Sequence, residues 1–120
     1  MIIVMDTNAL MIPGKFGLDV IEEAKRIVPN AEFVAVESTV RELENIGDKN
    51  ARLALQIIEK NKMRVEKVPG ETDCAVITYA QSNKGIVFTN DSEMKKKCVK
   101  MRVPVMFLRK KKTLALEGLE

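Results

Sequence analysis

Four acidic residues carry most of the chemical promise of this chain, which contains no histidine. Asp6 ends the apolar run from Ile2 to Met5, and Asp91 follows the short apolar run from Ile86 to Thr89. An ionised carboxylate does not follow such a run into a core, because burying it unpaired costs too much. Asp73 stands at the start of a helical pattern, and Glu42 lies in the first turn of another. Each has a purely structural alternative. Asp6 could start a turn, Asp91 could cap a helix, Asp73 could favour a helix dipole, and Thr39-Val-Arg-Glu42 fits a capping box. Their common position is harder to set aside, since one acid follows each of four successive strand-like segments. In a doubly wound sheet these positions share one edge. Carboxylates about 5 Å apart repel by roughly 3 kcal/mol per pair at an effective dielectric near 20. Such a group raises its pKa values or binds a cation. Hard oxygen donors select Mg²⁺ or Mn²⁺, as one ion or two. Without histidine, a Ser-His-Asp or Cys-His system and His-ligated zinc are both excluded.

Short polar residues flank the acids: Thr7, Asn8, Thr89, Asn90 and Ser92. They suit the orientation of carboxylates or of water on a metal, or ordinary loop capping. Charge is unevenly placed. Residues 1–92 carry 11 basic and 14 acidic side chains, a net of −3, whereas residues 93–120 carry 9 and 3, a net of +6. Lys95, Lys96, Lys97, Lys100 and Arg102 follow directly on Asp91, with Met94, Cys98 and Met101 at the spacing of an inward helix face. That leaves the lysines outward, close to the acidic edge but not in it. A basic quarter beside an acidic body points to a polyanion; the alternative is a solvated helix face and a frayed tail. Arg109 to Lys112 add four further charges.

The elements that must position these groups alternate between strand and helix. One domain is expected over residues 1–120, with a core over 2–108 and a basic tail, without assigned structure, over 109–120. Residues 11–17, with Pro13-Gly14 and Gly17, read as a loop. Helical spacing follows from Leu18 to Pro29, then a strand from Ala31 to Val36. Ser38 or Thr39 should cap the next helix, and Asp48 a longer one closed by Asn61. Met63 to Val68 is a third strand. Thr72 or Asp73 opens a helix, residues 86–89 form a buried strand, Asp91 or Ser92 opens the basic helix, and residues 105–108 form a last strand. This alternation means an α/β sandwich on a parallel sheet. The apolar face from Leu53 to Ile58 exceeds what one helix owes a small sheet and suggests a homodimer. Cys74 and Cys98 read as small buried residues in a reducing cytoplasm. No run is long enough to span a membrane, and no secretory signal is recognisable.

Four stretches together resemble the acidic motifs of PIN-domain nucleases: Val4-Met5-Asp6-Thr7-Asn8, Val40-Arg-Glu42-Leu43, Glu71-Thr-Asp73-Cys-Ala-Val-Ile77 and Phe88-Thr89-Asn90-Asp91. The resemblance covers residues 2–108. It implies a three-layer α/β/α, Rossmann-like sandwich with a five-stranded parallel sheet, and dimers. It also implies endonucleolytic, metal-dependent hydrolysis of RNA phosphodiesters, with Asp6, Glu42, Asp73 and Asp91 as catalytic groups and metal ligands. The continuation through Lys95-Lys96-Lys97 and residues 103–108 looks closest to the branch that includes the small-subunit-processome endonuclease. Toxins of the VapC type share the four acids, so the implied partner is an antitoxin or a ribosome-assembly factor, besides RNA. Glu93 departs from the pattern, standing where many relatives carry aspartate. The rival from another class is a catalytically silent RNA-binding or scaffold domain. Haloacid-dehalogenase chemistry would need an aspartate at Asn8, and phosphate-binding glycine motifs are absent.

Overall fold

The computed structural model describes residues 1–119. Its centre is a six-stranded sheet with the order β3-β2-β1-β4-β5-β6. The strands are β1 (Ile2–Met5), β2 (Glu32–Val36), β3 (Arg64–Glu66), β4 (Ile86–Phe88), β5 (Val105–Arg109) and β6 (Thr113–Glu117). The first five run parallel, and β6 returns antiparallel to β5. The resemblance implied five strands; the sixth comes from the presumed tail. Its source is alternation: Leu114 and Leu116 pack on the core while Thr113 and Glu117 stay exposed.

Two layers of helix cover the sheet, and strand alternation assigns the faces. Ile3, Met5, Ala35, Ile86, Phe88 and Met106 point into one core with the first five helices. Those are α1 (Thr7–Leu10), α2 (Ile12–Phe16), α3 (Val20–Ile27), α4 (Glu37–Ile46) and α5 (Lys49–Lys60). Val4, Val36, Val87 and Val105 point the other way, against α6 (Thr72–Ser82) and α7 (Ser92–Lys100). Apolar runs without polar interruption are what a strand covered on both faces requires. No helix among the described residues is long and apolar enough to cross a membrane.

Several local expectations need correction. Residues 11–17 are not a loop: α1 and α2 occupy most of residues 7–16. Pro13 is tolerated because it sits in the first turn of α2, where its missing N–H is not needed, and Gly17 in the left-handed region ends the helix. Neither Ser38 nor Thr39 caps α4, since its N-cap is Val36. Met101 is exposed rather than core, and so is Cys74. The apolar surplus of α5 is largely consumed within the chain. Ala51, Ala54 and Ile58 are buried, Leu55 and Ile57 pack against the core, and Leu53 remains exposed.

Gly85, immediately before β4, lies close against β1. A Cβ there would lie 2.7 Å from the carbonyl oxygen of Ile2, which is backbone and cannot swing away. Gly85→Ala should therefore cost about 1–3 kcal/mol of stability by forcing β4 from β1. A denaturant midpoint equal to that of the unaltered protein would contradict this.

Candidate active site

The order of strands reverses between β1 and β4, which pair directly with Met5 opposite Phe88. Both strands end there, and an open α/β sheet binds ligands at such a switch point. Asp6 is the first residue past β1 and is only 4% exposed. Its backbone N–H donates to the Phe88 carbonyl at 2.9 Å, continuing the ladder by one step. Thr89, the first residue past β4, is fully buried beside it. The Thr89 hydroxyl donates to Asp6 Oδ2 at 2.8 Å and accepts the Asp91 backbone N–H at 3.2 Å. One hydroxyl thus fixes the carboxylate of the first acid and the backbone of the last.

The neighbouring polar residues complete the join. Asn8 Oδ1 accepts the Asn90 backbone N–H at 2.7 Å, clamping the loop after β4 to the start of α1. Thr7 donates to Glu42 Oε1 at 2.6 Å. Glu42 therefore turns toward β1 and not back to the Thr39 amide, so the capping-box alternative fails. Ser38 Oγ and Thr39 Oγ1, in the first turn of α4, are buried without a hydrogen-bond partner. Asp91 caps α7, its Oδ1 accepting the Glu93 N–H at 3.0 Å. That leaves its other oxygen outside the cap. Ser92 and Glu93 are exposed, and Glu93 pairs with Lys96 at 3.4 Å.

The lysines of α7 divide. Lys97 is not directed away from the acids, since its Nζ lies 3.2 Å from Asp73 Oδ2. That hydrogen bond, and the charge of Asp73, hold the Lys97 pKa above its ordinary value. Lys95 lies over the Phe107 ring, 3.5 Å from its centroid, and 3.7 Å from Glu117. Lys96, Lys100 and Arg102 are exposed. Spacing placed the lysines on α7, but it could not say that the Asp73 carboxylate on α6 faces Lys97. That pairing depends on how the two helices lie side by side.

Burial pushes the Asp6 carboxyl up to about 6, and the charges of Asp73 and Glu42 add to the rise. The Thr89 hydroxyl and the Thr7 N–H pull it part of the way back. The donors fit a hard divalent cation in kind. Asp6 is a buried carboxylate whose charge is opposed by two acidic neighbours, and an ammonium already sits on Asp73. Among the described residues, however, no three acidic or thiol side chains stand close enough together to hold an ion unaided. A full coordination shell would need oxygens from outside the chain.

The chain belongs to the PIN like domain family, whose model matches residues 3–111. It is 30% identical to Ribonuclease VapC4 of Methanocaldococcus jannaschii, over 98% of this chain and 97% of that protein. It is 31% identical to Ribonuclease VapC9 of Archaeoglobus fulgidus, over 98% and 90%. In architecture it is similar to the PIN domain endonuclease Utp24, with a TM-score of 0.78 and 21% identity over 98% of this chain and 92% of that one. It is also similar to VapBC2 from Rickettsia felis, solved with a DNA fragment, with a TM-score of 0.66 and 12% identity over 91% and 100%.

A raised carboxyl pKa in the folded state means that the folded chain holds its proton longer than the unfolded chain. Stability of the metal-free protein should then fall as pH rises from about 4 to about 6 and stay lower above that, by up to about 3 kcal/mol. Asp6→Asn removes the charge but keeps an acceptor for Thr89. In EDTA it should melt above the unaltered protein at pH 8 and no higher below about pH 4. Parallel melting curves at every pH would contradict the burial of this charge.

Proposed function

We propose that this chain is a divalent-metal-dependent endoribonuclease of the VapC kind, with an antitoxin as its protein partner. The observation that carries this reading is the buried Asp6 carboxylate, held by Thr89 where Asp73, Glu42 and Asp91 share one sheet edge. The ribonuclease names of the two archaeal relatives, each matched almost end to end, favour RNA over other phosphodiesters and a toxin over a processing factor. Asp6, Asp73 and Asp91 would hold one or two Mg²⁺ or Mn²⁺ ions, with Glu42 joining directly or through water. When bound, such ions supply positive charge to an attacking water and to the leaving oxygen.

The chain's own residues have distinct parts. Asp6 anchors the centre, and Thr89 keeps its carboxylate aimed and lowers its pKa. Thr7 holds Glu42 in place. Asn8 and Asn90 keep the β1 and β4 ends together. Lys97 balances Asp73 and is placed to meet a phosphate oxygen if Asp73 turns to a metal. Phosphodiester oxygens would add the donors that the four acids lack.

A second reading, a silent scaffold, draws on the open arrangement of those acids and the Lys97–Asp73 pair. Cleavage of single-stranded RNA with Mn²⁺ or Mg²⁺ separates the two. The enzyme reading expects cleavage that EDTA and Asp6→Asn each abolish, and a loss of about 10–100-fold in Thr89→Val. Cleavage undiminished in excess EDTA, or full activity in Asp6→Asn, would overturn it; no cleavage with either metal would favour the scaffold.

A further inference from the structure

The β5–β6 hairpin ends in the turn Arg109–Lys112, four consecutive basic residues closed by the Lys112 N–H donating to the Arg109 carbonyl at 3.2 Å. Because β5 is parallel to β4 and Met106 lies opposite Phe88, the hairpin runs on past the carboxyl edge of the sheet. Arg109 stands three residues beyond that edge, about 10 Å at the rise of a strand. The turn therefore projects at the edge where Asp6 and Asp91 lie. Beside that edge, between the start of α7 and β5, is a notch of about 190 Å³ whose lining includes Asn90, Asp91, Ser92, Lys95, Phe107 and Leu108.

What sets this turn apart from the chain's other cations with positive φ, Lys62, Lys84 and Arg102, is four consecutive charges beside an exposed ring. Its central residues, Lys110 and Lys111, have φ of +55° and +58°. The connection is a three-residue loop, with Arg109 paired to Thr113, and the β-turn inside it has positive φ at both central positions, where Asn and Gly fit better than lysine. Among the described residues, moreover, the ion pairs involve none of the four. Lys111 Nζ lies 5.8 Å from the ring centroid of Phe16, an exposed aromatic on α2. A cationic turn next to an exposed ring is the combination that grips a single strand, through phosphates and a stacked base.

We propose that the Arg109–Lys112 turn is a phosphate grip for single-stranded RNA, holding the strand that leaves the acidic centre across the notch beside Phe107. The strand's backbone lies along Lys110 and Lys111, and Phe16 offers a face to one base. This rests on the ribonuclease reading for the identity of the polyanion. The contacts read little sequence, since lysine meets phosphates as a point charge.

Truncation at Leu108 would be a poor test, because it removes β6 and uncovers the core beneath Leu114 and Leu116. Lys110→Asn/Lys111→Gly is better, since it installs residues that suit the turn and should raise the melting temperature while removing two charges. Binding of a labelled oligouridylate is followed in EDTA against salt, for the unaltered protein and this variant, alongside Mn²⁺-dependent cleavage by the unaltered protein. The grip predicts a salt slope smaller by about 1.4 in the variant, equivalent to about 25-fold weaker binding near 0.1 M salt. An unchanged slope in the folded variant would overturn the grip, and cleavage by the unaltered protein would show that the ribonuclease reading survives it. A reduced slope without any cleavage would support the grip and fault the enzyme reading instead. Failure of the unaltered protein to bind RNA, with polyglutamate bound through the turn, would overturn the grip in favour of an acidic protein surface.

Discussion

The hydrogen bond from the Thr89 hydroxyl to Asp6 is the contact on which the site depends. A carboxylate with 4% exposure is expensive to keep ionised, and a hydrogen bond to a charged group returns about 1.5–3 kcal/mol of that cost. The same oxygen accepts the Asp91 N–H, so the bond also sets where the loop after β4 turns into α7. Without it, Asp6 would hold its proton to higher pH and Asp91 would lose a tether. The site is thus built on a small polar join inside an otherwise apolar switch point.

That join works because of what surrounds it. Met5 and Phe88 are fully buried and bring the two strand ends together. Gly85 lets β4 approach the backbone of Ile2. The acids become more exposed away from Asp6: Asp73 is half-buried, and Glu42 and Asp91 are exposed. Negative charge therefore rises from a buried anchor to an open rim, where ions and phosphates can arrive without deep desolvation. Lys97 partly neutralises this rim, which keeps four like charges tolerable in the absence of a bound cation.

Much of this was legible in the chain itself. Ile2 to Met5 and Ile86 to Thr89 declared buried strands, and their abrupt ends at acids placed the edge. Asp48 and Asp91 were readable as caps because their side chains act on amides two or three residues away. Strand order was not legible from spacing, since it depends on which strands pair. The resemblance to PIN-domain nucleases supplied the family, and the family model bears it out. Residues 11–17 misled because Pro13-Gly14 signals a turn by composition, whereas Pro in a first helical turn is well tolerated. The last strand was hidden because Lys110-Lys111 lacks the Asn-Gly signature of its turn. Thr39-Val-Arg-Glu42 satisfied a local motif, but a contact 35 residues away in sequence, Thr7 to Glu42, prevailed.

The central proposal is that Asp6, buried at the β1–β4 junction, anchors a divalent cation. Electron paramagnetic resonance of Mn²⁺ reports it directly, since the free ion's signal disappears on binding. Titrating Mn²⁺ at pH 8 into the unaltered protein and into Asp6→Asn, each with an uncleavable 2′-O-methyl oligoribonucleotide that supplies the missing phosphate oxygens, should show one or two sites beyond those of the oligonucleotide alone in the first and a large loss of affinity in the second. Equal depletion of the free-ion signal by both proteins, or none by either, would contradict the account.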